Sequence, residues 1–209
     1  MIATILLLAY LLGSIPTSVW LGKALKGTDL RKHGSGNAGT TNAFRVLGKP
    51  IGIIVLIVDM GKGLLAVSLS FLQTEMATGS ESLMILRIGL GMLAVIGHIY
   101  PVLAGFKGGK GVATMAGVGL ALNPLVVLAA MGVYLLVFLI SRVSALGSLI
   151  AAISYPVWMI FVFHTDYRSL QIFSIVVPIL VIFTHRSNIS RLLKGNENRM
   201  RQKKKKADA

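Results

Sequence analysis

The chain has 209 residues, 55% of them hydrophobic and 13% charged, with a mean hydropathy of +0.78, about half the charged fraction of a soluble domain. It reads as a polytopic membrane protein with too little polar chain for a separate soluble domain, and its lack of cysteine excludes disulfides, thiolate metal ligands and a cysteine nucleophile. The net charge of +14 collects in loops and tail beside apolar segments, which points to anionic lipid headgroups rather than nucleic acid.

The first span is 2–22, close to the 20 residues a bilayer requires. It lacks a basic n-region and a small-residue cleavage site, so a retained helix is expected, not a signal peptide. A basic loop follows, with Lys23, Lys26, Arg31, Lys32, Arg45 and Lys49 against one acid, Asp29. The second span is 50–72. The short connection 73–82 carries Glu75 and Glu81 and no basic residue, and the third span is 83–104.

The positive-inside rule places the first loop and the segment holding Lys107 and Lys110 in the cytoplasm, so the amino terminus lies outside. The basic stretch from Arg186 to Lys206 belongs inside as well, which requires an even number of crossings after Lys110. Asn123-Pro124 breaks the long apolar run after Gly111, because proline disfavours helix in the residue before it. Spans at 111–122, 124–141, 143–163 and 170–184 then complete the count. The expected fold is an all-α membrane helical bundle of about seven segments, amino terminus outside and carboxyl terminus in the cytoplasm. Merging the split pair gives six spans and leaves the tail outside; five spans satisfy parity if two weak segments do not cross. Residues 1–194 form one integral-membrane domain in this reading, and 195–209 a basic, disordered cytoplasmic tail ending in Lys203–Lys206. Ile189, Leu192 and Leu193 among Arg191 and Lys194 suggest a short interfacial helix.

Three polar blocks interrupt the apolar chain: Gly34-Ser-Gly-Asn-Ala-Gly-Thr-Thr-Asn42, Gly105-Phe-Lys-Gly-Gly-Lys-Gly111 and His185-Arg-Ser-Asn-Ile-Ser-Arg191. None contains an acid, and all three fall on the cytoplasmic face. Glycine lets backbone N–H groups crowd an anion, Arg45 offers a bidentate phosphate partner, and the seven-segment reading adds Ser144 to the same face. The blocks read as one phosphate site. Gly34-Ser-Gly-Asn-Ala-Gly39 fits dinucleotide-fingerprint spacing but lacks the strand that motif needs. The Lys-Gly-Gly-Lys segment misses the Walker spacing, since Ala104 stands where its first glycine belongs. Asp59 and Lys62 lie inside the second span, where charges are costly and their i, i+3 spacing allows pairing. His98 precedes Pro101 near the cytoplasmic end of the third span; it can bond a helix carbonyl or face the site.

With these residues the chain closely resembles the bacterial integral-membrane glycerol-3-phosphate acyltransferases that use acyl phosphate. The first signature is the 34–42 block with Arg45. The second is Gly97-His98-x-x-Pro101-Val102 with Phe106-Lys-Gly-Gly-Lys-Gly-Val-Ala-Thr114, and the third is His185-Arg-x-Asn188-Ile189-x-Arg191-Leu192 with Gly195-x-Glu197. The resemblance implies transfer of an acyl group from acyl phosphate to sn-glycerol 3-phosphate, giving lysophosphatidate and phosphate, the first acylation of phospholipid synthesis. It implies no cofactor and no metal. It also implies a bacterial inner-membrane location and, as a candidate partner, the enzyme that makes acyl phosphate. The mixed anhydride is already activated, so direct transfer without an acyl-enzyme is expected.

The expected catalytic set is Ser35, Lys110, His185 and Asn188. The expected substrate-binding set is Gly34, Gly36, Asn37, Gly39, Thr40, Thr41, Asn42, Arg45, His98, Lys107, Gly108, Gly109 and Ser144. His185, His98 or a substrate phosphate oxygen are the candidate proton acceptors. The rival readings are a membrane transporter of phosphate or phosphate esters, disfavoured because the blocks share one face, and a lipid phosphotransferase, disfavoured by the lack of a carboxylate cluster.

Overall fold

A computed structural model describes residues 1–200, which are helical with no strand among them. The long helices are α1 (Ile2–Gly13), α2 (Thr17–Lys26), α4 (Lys49–Ser68), α5 (Glu81–Ile99), α6 (Val112–Leu122), α7 (Pro124–Ser141), α8 (Ser144–Pro156) and α9 (Arg168–Thr184). Short helices α3 (Thr40–Val46) and α10 (Arg186–Leu193) lie between or after them. Five stretches are long and apolar enough to cross a membrane: Ile2–Lys26, Lys49–Leu72, Glu81–Ala104, Pro124–Ser141 and Ser144–Val162. The pair α9 and α10, bent by 66°, raises this to six if it is one span. The remaining expected segment is α6, whose 11 residues rise about 16 Å, half the hydrocarbon core.

The break expected at Asn123-Pro124 is present. Asn123 is extended, with φ −154° and ψ 94°, its side chain accepts the N–H of Val126, and Pro124 opens α7 without needing a donor. Large apolar side chains such as Ile57, Leu139, Ile140 and Phe161 are exposed around the bundle, as a lipid-facing surface requires.

Small residues set how the helices meet, the usual device where lipid gives no hydrophobic drive to association. A side chain at Gly63 would strike the Thr114 carbonyl and one at Gly117 the Met60 carbonyl, so α4 and α6 touch backbone to backbone. Gly13 against Ala94 and Gly97 against Tyr10 do the same for α1 and α5.

At one end of the bundle the polar blocks are tied together. Arg31 donates to the Ala104 carbonyl at 2.8 Å, and the Thr41 and Ser144 hydroxyls are 3.0 Å apart. Elsewhere Tyr167 donates to the Gly79 carbonyl and the Ser169 N–H to Glu81, joining the connection 73–82 to the one before α9. The expected disordered tail is corrected at its start: through Met200 the chain is placed. Asn196 N–H donates to the Arg191 carbonyl, Glu197 pairs with Arg191 at 3.0 Å, and Met200 N–H donates to the Arg142 carbonyl at 3.0 Å. The Lys203–Lys206 run lies outside the described residues.

Candidate functional site

The first block is organised by one amide. Asn42 is buried, its oxygen accepts the Ser35 N–H at 3.0 Å, and its nitrogen donates to the carbonyls of Leu30, His33 and Asn37. Asn42 therefore spends its amide nitrogen and one oxygen lone pair on holding the loop, although it borders the cavity described below. Gly34 and Gly36 sit at φ +62° and +73°, and a side chain on Gly34 would strike the Asn42 amide. These two shape the turn. The Gly36 N–H already bonds the His33 carbonyl, so the expected nest is only partly open. Ser35, Asn37, Gly39, Thr40, Thr41 and Arg45 do line the cavity described below.

The second block divides. Gly108 and Gly109 donate their N–H groups to the carbonyls of Ile99 and His98, and a side chain on either would collide with His98. They brace that histidine and do not offer donors to an anion. Lys107 is exposed and does not line the cavity. Lys110, three residues further along the chain, does.

Behind the loop, Lys62 Nζ lies 2.8 Å from Asp59, 3.0 Å from the Ile15 carbonyl and 3.2 Å from His98 Nδ1. The expected Asp59–Lys62 pair is thus present, fully buried, and extended by His98. With Lys62 donating, the Nδ1 lone pair of His98 is taken, and Nε2 backs onto Gly109. His98 borders the cavity but is poorly placed as a proton acceptor. Thr40 reaches Asp59 at 3.5 Å, linking this network to the first block.

The third block supplies His185 and Asn188, both buried. His185 Nδ1 lies 2.8 Å from the Val181 carbonyl. A carbonyl only accepts, so Nδ1 carries the hydrogen and Nε2 keeps its lone pair. Asn188 Oδ1 accepts from Lys110 Nζ. Burial lowers the Lys110 pKa to about 8, partly offset by the Glu197 carboxylate. Ser144 bonds both Thr41 and Tyr134, the latter at 3.1 Å.

These residues meet at one end of a cavity of about 480 Å³. Its rim carries Ser35, Arg45, Lys110, Ser144, His185 and Asn188; its body is apolar, walled by Ala116, Ala130, Ala152, Val177 and Val181. Such a site holds an anionic head and an apolar chain together, with a neutral imidazole available to take a proton. Sequence reasoning missed Tyr134, Tyr155, Asn198 and Met200, which also line it. Glu197 lines it too and entered only through the third signature. The aromatic pair gave no signal that separates a cavity wall from a lipid-facing side chain.

A family model described as glycerol-3-phosphate acyltransferase matches residues 3–195. The chain is 43% identical over 220 residues to the glycerol-3-phosphate acyltransferase of Chlorobaculum tepidum, covering 94% of this chain and 95% of the relative. It is 41% identical to that of Chlorobium phaeobacteroides, with the same coverage. Among solved structures it is similar to PlsY (YgiH), an integral membrane glycerol 3-phosphate acyltransferase. In the glycerol 3-phosphate form the TM-score is 0.84 at 40% identity, covering 96% of both chains. In the lysophosphatidic acid form it is 0.81 at 39%, covering 96% of this chain and 95% of that one.

Proposed function

The chain belongs to the glycerol-3-phosphate acyltransferase family, and from that premise we propose that it moves an acyl group from acyl phosphate directly to sn-glycerol 3-phosphate. The observation that carries this reading is the single cavity with a cationic rim and an apolar body. Both substrates bring a phosphate, and the donor brings an alkyl chain.

Arg45 and Lys110 hold the phosphates, with Ser35 and Asn188 as neutral partners. The glycerol hydroxyl attacks the acyl carbonyl, a carbon–oxygen ester bond forms, and the acyl carbon–oxygen bond to phosphate breaks with its electron pair leaving on phosphate. The hydroxyl proton passes to His185 Nε2 or to the departing phosphate. Lys110 and the donors around it stabilise the oxygen that gains charge, the contribution that commonly dominates such catalysis. Holding both reactants in one cavity supplies further acceleration. The products are 1-acylglycerol 3-phosphate and inorganic phosphate, and no metal or cofactor takes part.

The site faces the cytoplasm of a bacterial inner membrane in this reading. The gathering of the basic blocks at one end supports that orientation. A transporter is disfavoured because neither of the connections joined by Tyr167 and Glu81 lines the cavity.

Purified protein is given hexadecanoyl phosphate and glycerol 3-phosphate in EDTA, with the acyl-CoA as a parallel donor. Lysophosphatidate from acyl phosphate alone is expected. Product only from acyl-CoA overturns the donor assignment, and an isolable acyl-Ser35 or acyl-Ser144 species overturns direct transfer. His185→Gln is expected to lower turnover by about 10²–10⁴ if the imidazole is the base.

A further inference from the structure

Among the residues that line the apolar body of the cavity, Tyr155 is the largest that α8 contributes, and it stands beside Val127 of α7 and Val177 of α9. Tyr155 on α8 packs edge-on against Phe173 of α9, with ring centroids 6.5 Å apart and planes at 89°. Its hydroxyl reaches across to α6, where a side chain on Gly119 would lie 3.4 Å away. The ring therefore bars the gap between α9 and α6. Behind it Met159 and Leu170 are fully buried and do not line the cavity. Above it, along the same helix, stand only small residues, Ala151, Ala152 and Ser148. The Tyr155 hydroxyl is itself buried without a partner, so hydrogen bonding does not explain why a tyrosine's length is needed here.

We infer that Tyr155 is the end-stop of an internal slot for the donor's acyl chain and sets which chain lengths transfer fastest. This rests on the acyl-phosphate reading above. From Ser144 at the rim to Tyr155 the helix rises eleven residues, about 16 Å. An extended chain advances about 1.2 Å per bond, so about thirteen bonds fit before the terminal methyl meets the ring. A longer donor has to turn aside at Tyr155. The chain end thus meets a protein stop, even though the cavity wall includes the exposed Leu135 of α7.

The test compares kcat/KM for dodecanoyl and hexadecanoyl phosphate in the detergent-purified protein, with product chain length read by mass spectrometry. Tyr155→Ala lowers the floor and is expected to raise the hexadecanoyl-to-dodecanoyl ratio at least about tenfold. Ala152→Leu, one turn nearer the rim, blocks the slot higher up and moves the ratio the opposite way. Tyr155→Phe keeps the ring but gives up the reach of the hydroxyl, and is expected to move the ratio in the same direction by less than Tyr155→Ala. Where Tyr155→Ala is not monodisperse, Tyr155→Leu and Ala152→Leu carry the comparison. A ratio unchanged in the folded variants while native turnover is normal overturns the end-stop. A native protein inactive with every acyl phosphate overturns the donor reading instead.

Discussion

Where α4 meets α6, Gly63 and Gly117 bring two backbones into contact, and Asp59, Lys62 and His98 lie sealed beside them. Where α7 meets the bundle, only Val126, Val127 and Ala130 are buried, and most of its remaining length faces lipid or the cavity. The first region has no slack: its charges are paired and its helices cannot approach more closely. The second rests mainly on α8, where Gly147 comes close to Tyr134, and encloses empty volume. The difference fits a division of labour, in which the tight side fixes the loop that receives the charged head while the looser side accommodates a chain of variable shape.

The strongest way to break this comparison is to unpair the sealed charges. Lys62→Met leaves Asp59 buried without its cation and is expected to cost about 3–5 kcal/mol, seen as a large fall in melting temperature in detergent. Adding Asp59→Leu recovers much of the loss, because the lone charge is then gone. A Lys62→Met protein that melts like the native one contradicts the sealed-network account.

Matched glycine substitutions sharpen the contrast at smaller cost. Gly117→Ala drives a methyl into the Met60 carbonyl and is expected to destabilise by about 1–3 kcal/mol. Gly132→Ala on α7 meets nothing within 4 Å and is expected to be neutral or to gain up to about 1 kcal/mol from helix propensity. Equal melting temperatures for the two variants would remove the distinction between the regions.

The smallest effect is a pH limb. Burial lowers the Lys110 pKa to about 8, and in the proposed role only the protonated amine would hold phosphate. kcat/KM is therefore expected to be level below that pH and to fall above it. Lys110→Arg stays charged and abolishes the limb even where it lowers the plateau. A native profile with no alkaline fall up to pH 9.5 argues against Lys110 as the phosphate cation.

Much of this architecture was legible in the sequence, because the relevant signals are local. Asn123-Pro124 marks a helix break through proline sterics alone, and Asp59 with Lys62 advertises a pair through spacing and the cost of lone charges. The convergence of the three blocks followed from charge bias. What the sequence hid is which way each donor points. A block rich in glycine and amide reads the same whether its hydrogen bonds go to a ligand or to itself. Asn42 proves to serve its own loop, and Gly108 and Gly109 to brace His98. Lys107 and Lys110 differ by a turn in one loop that spacing does not reveal. Tyr155 was invisible for another reason: a floor is defined by the small residues above it on three helices, not by its own neighbours in the chain.

The contact of Met200 with Arg142 has a consequence in time. The roof of the cavity is made by the segment from Glu197 to Met200, laid back over helices synthesised long before. Residues 34–42 and 105–111 are synthesised well before His185 and this segment, so until then the cavity lacks its imidazole and its cover. The cavity is closed only once His185 and the 197–200 segment have been added, well after the two loops that they meet.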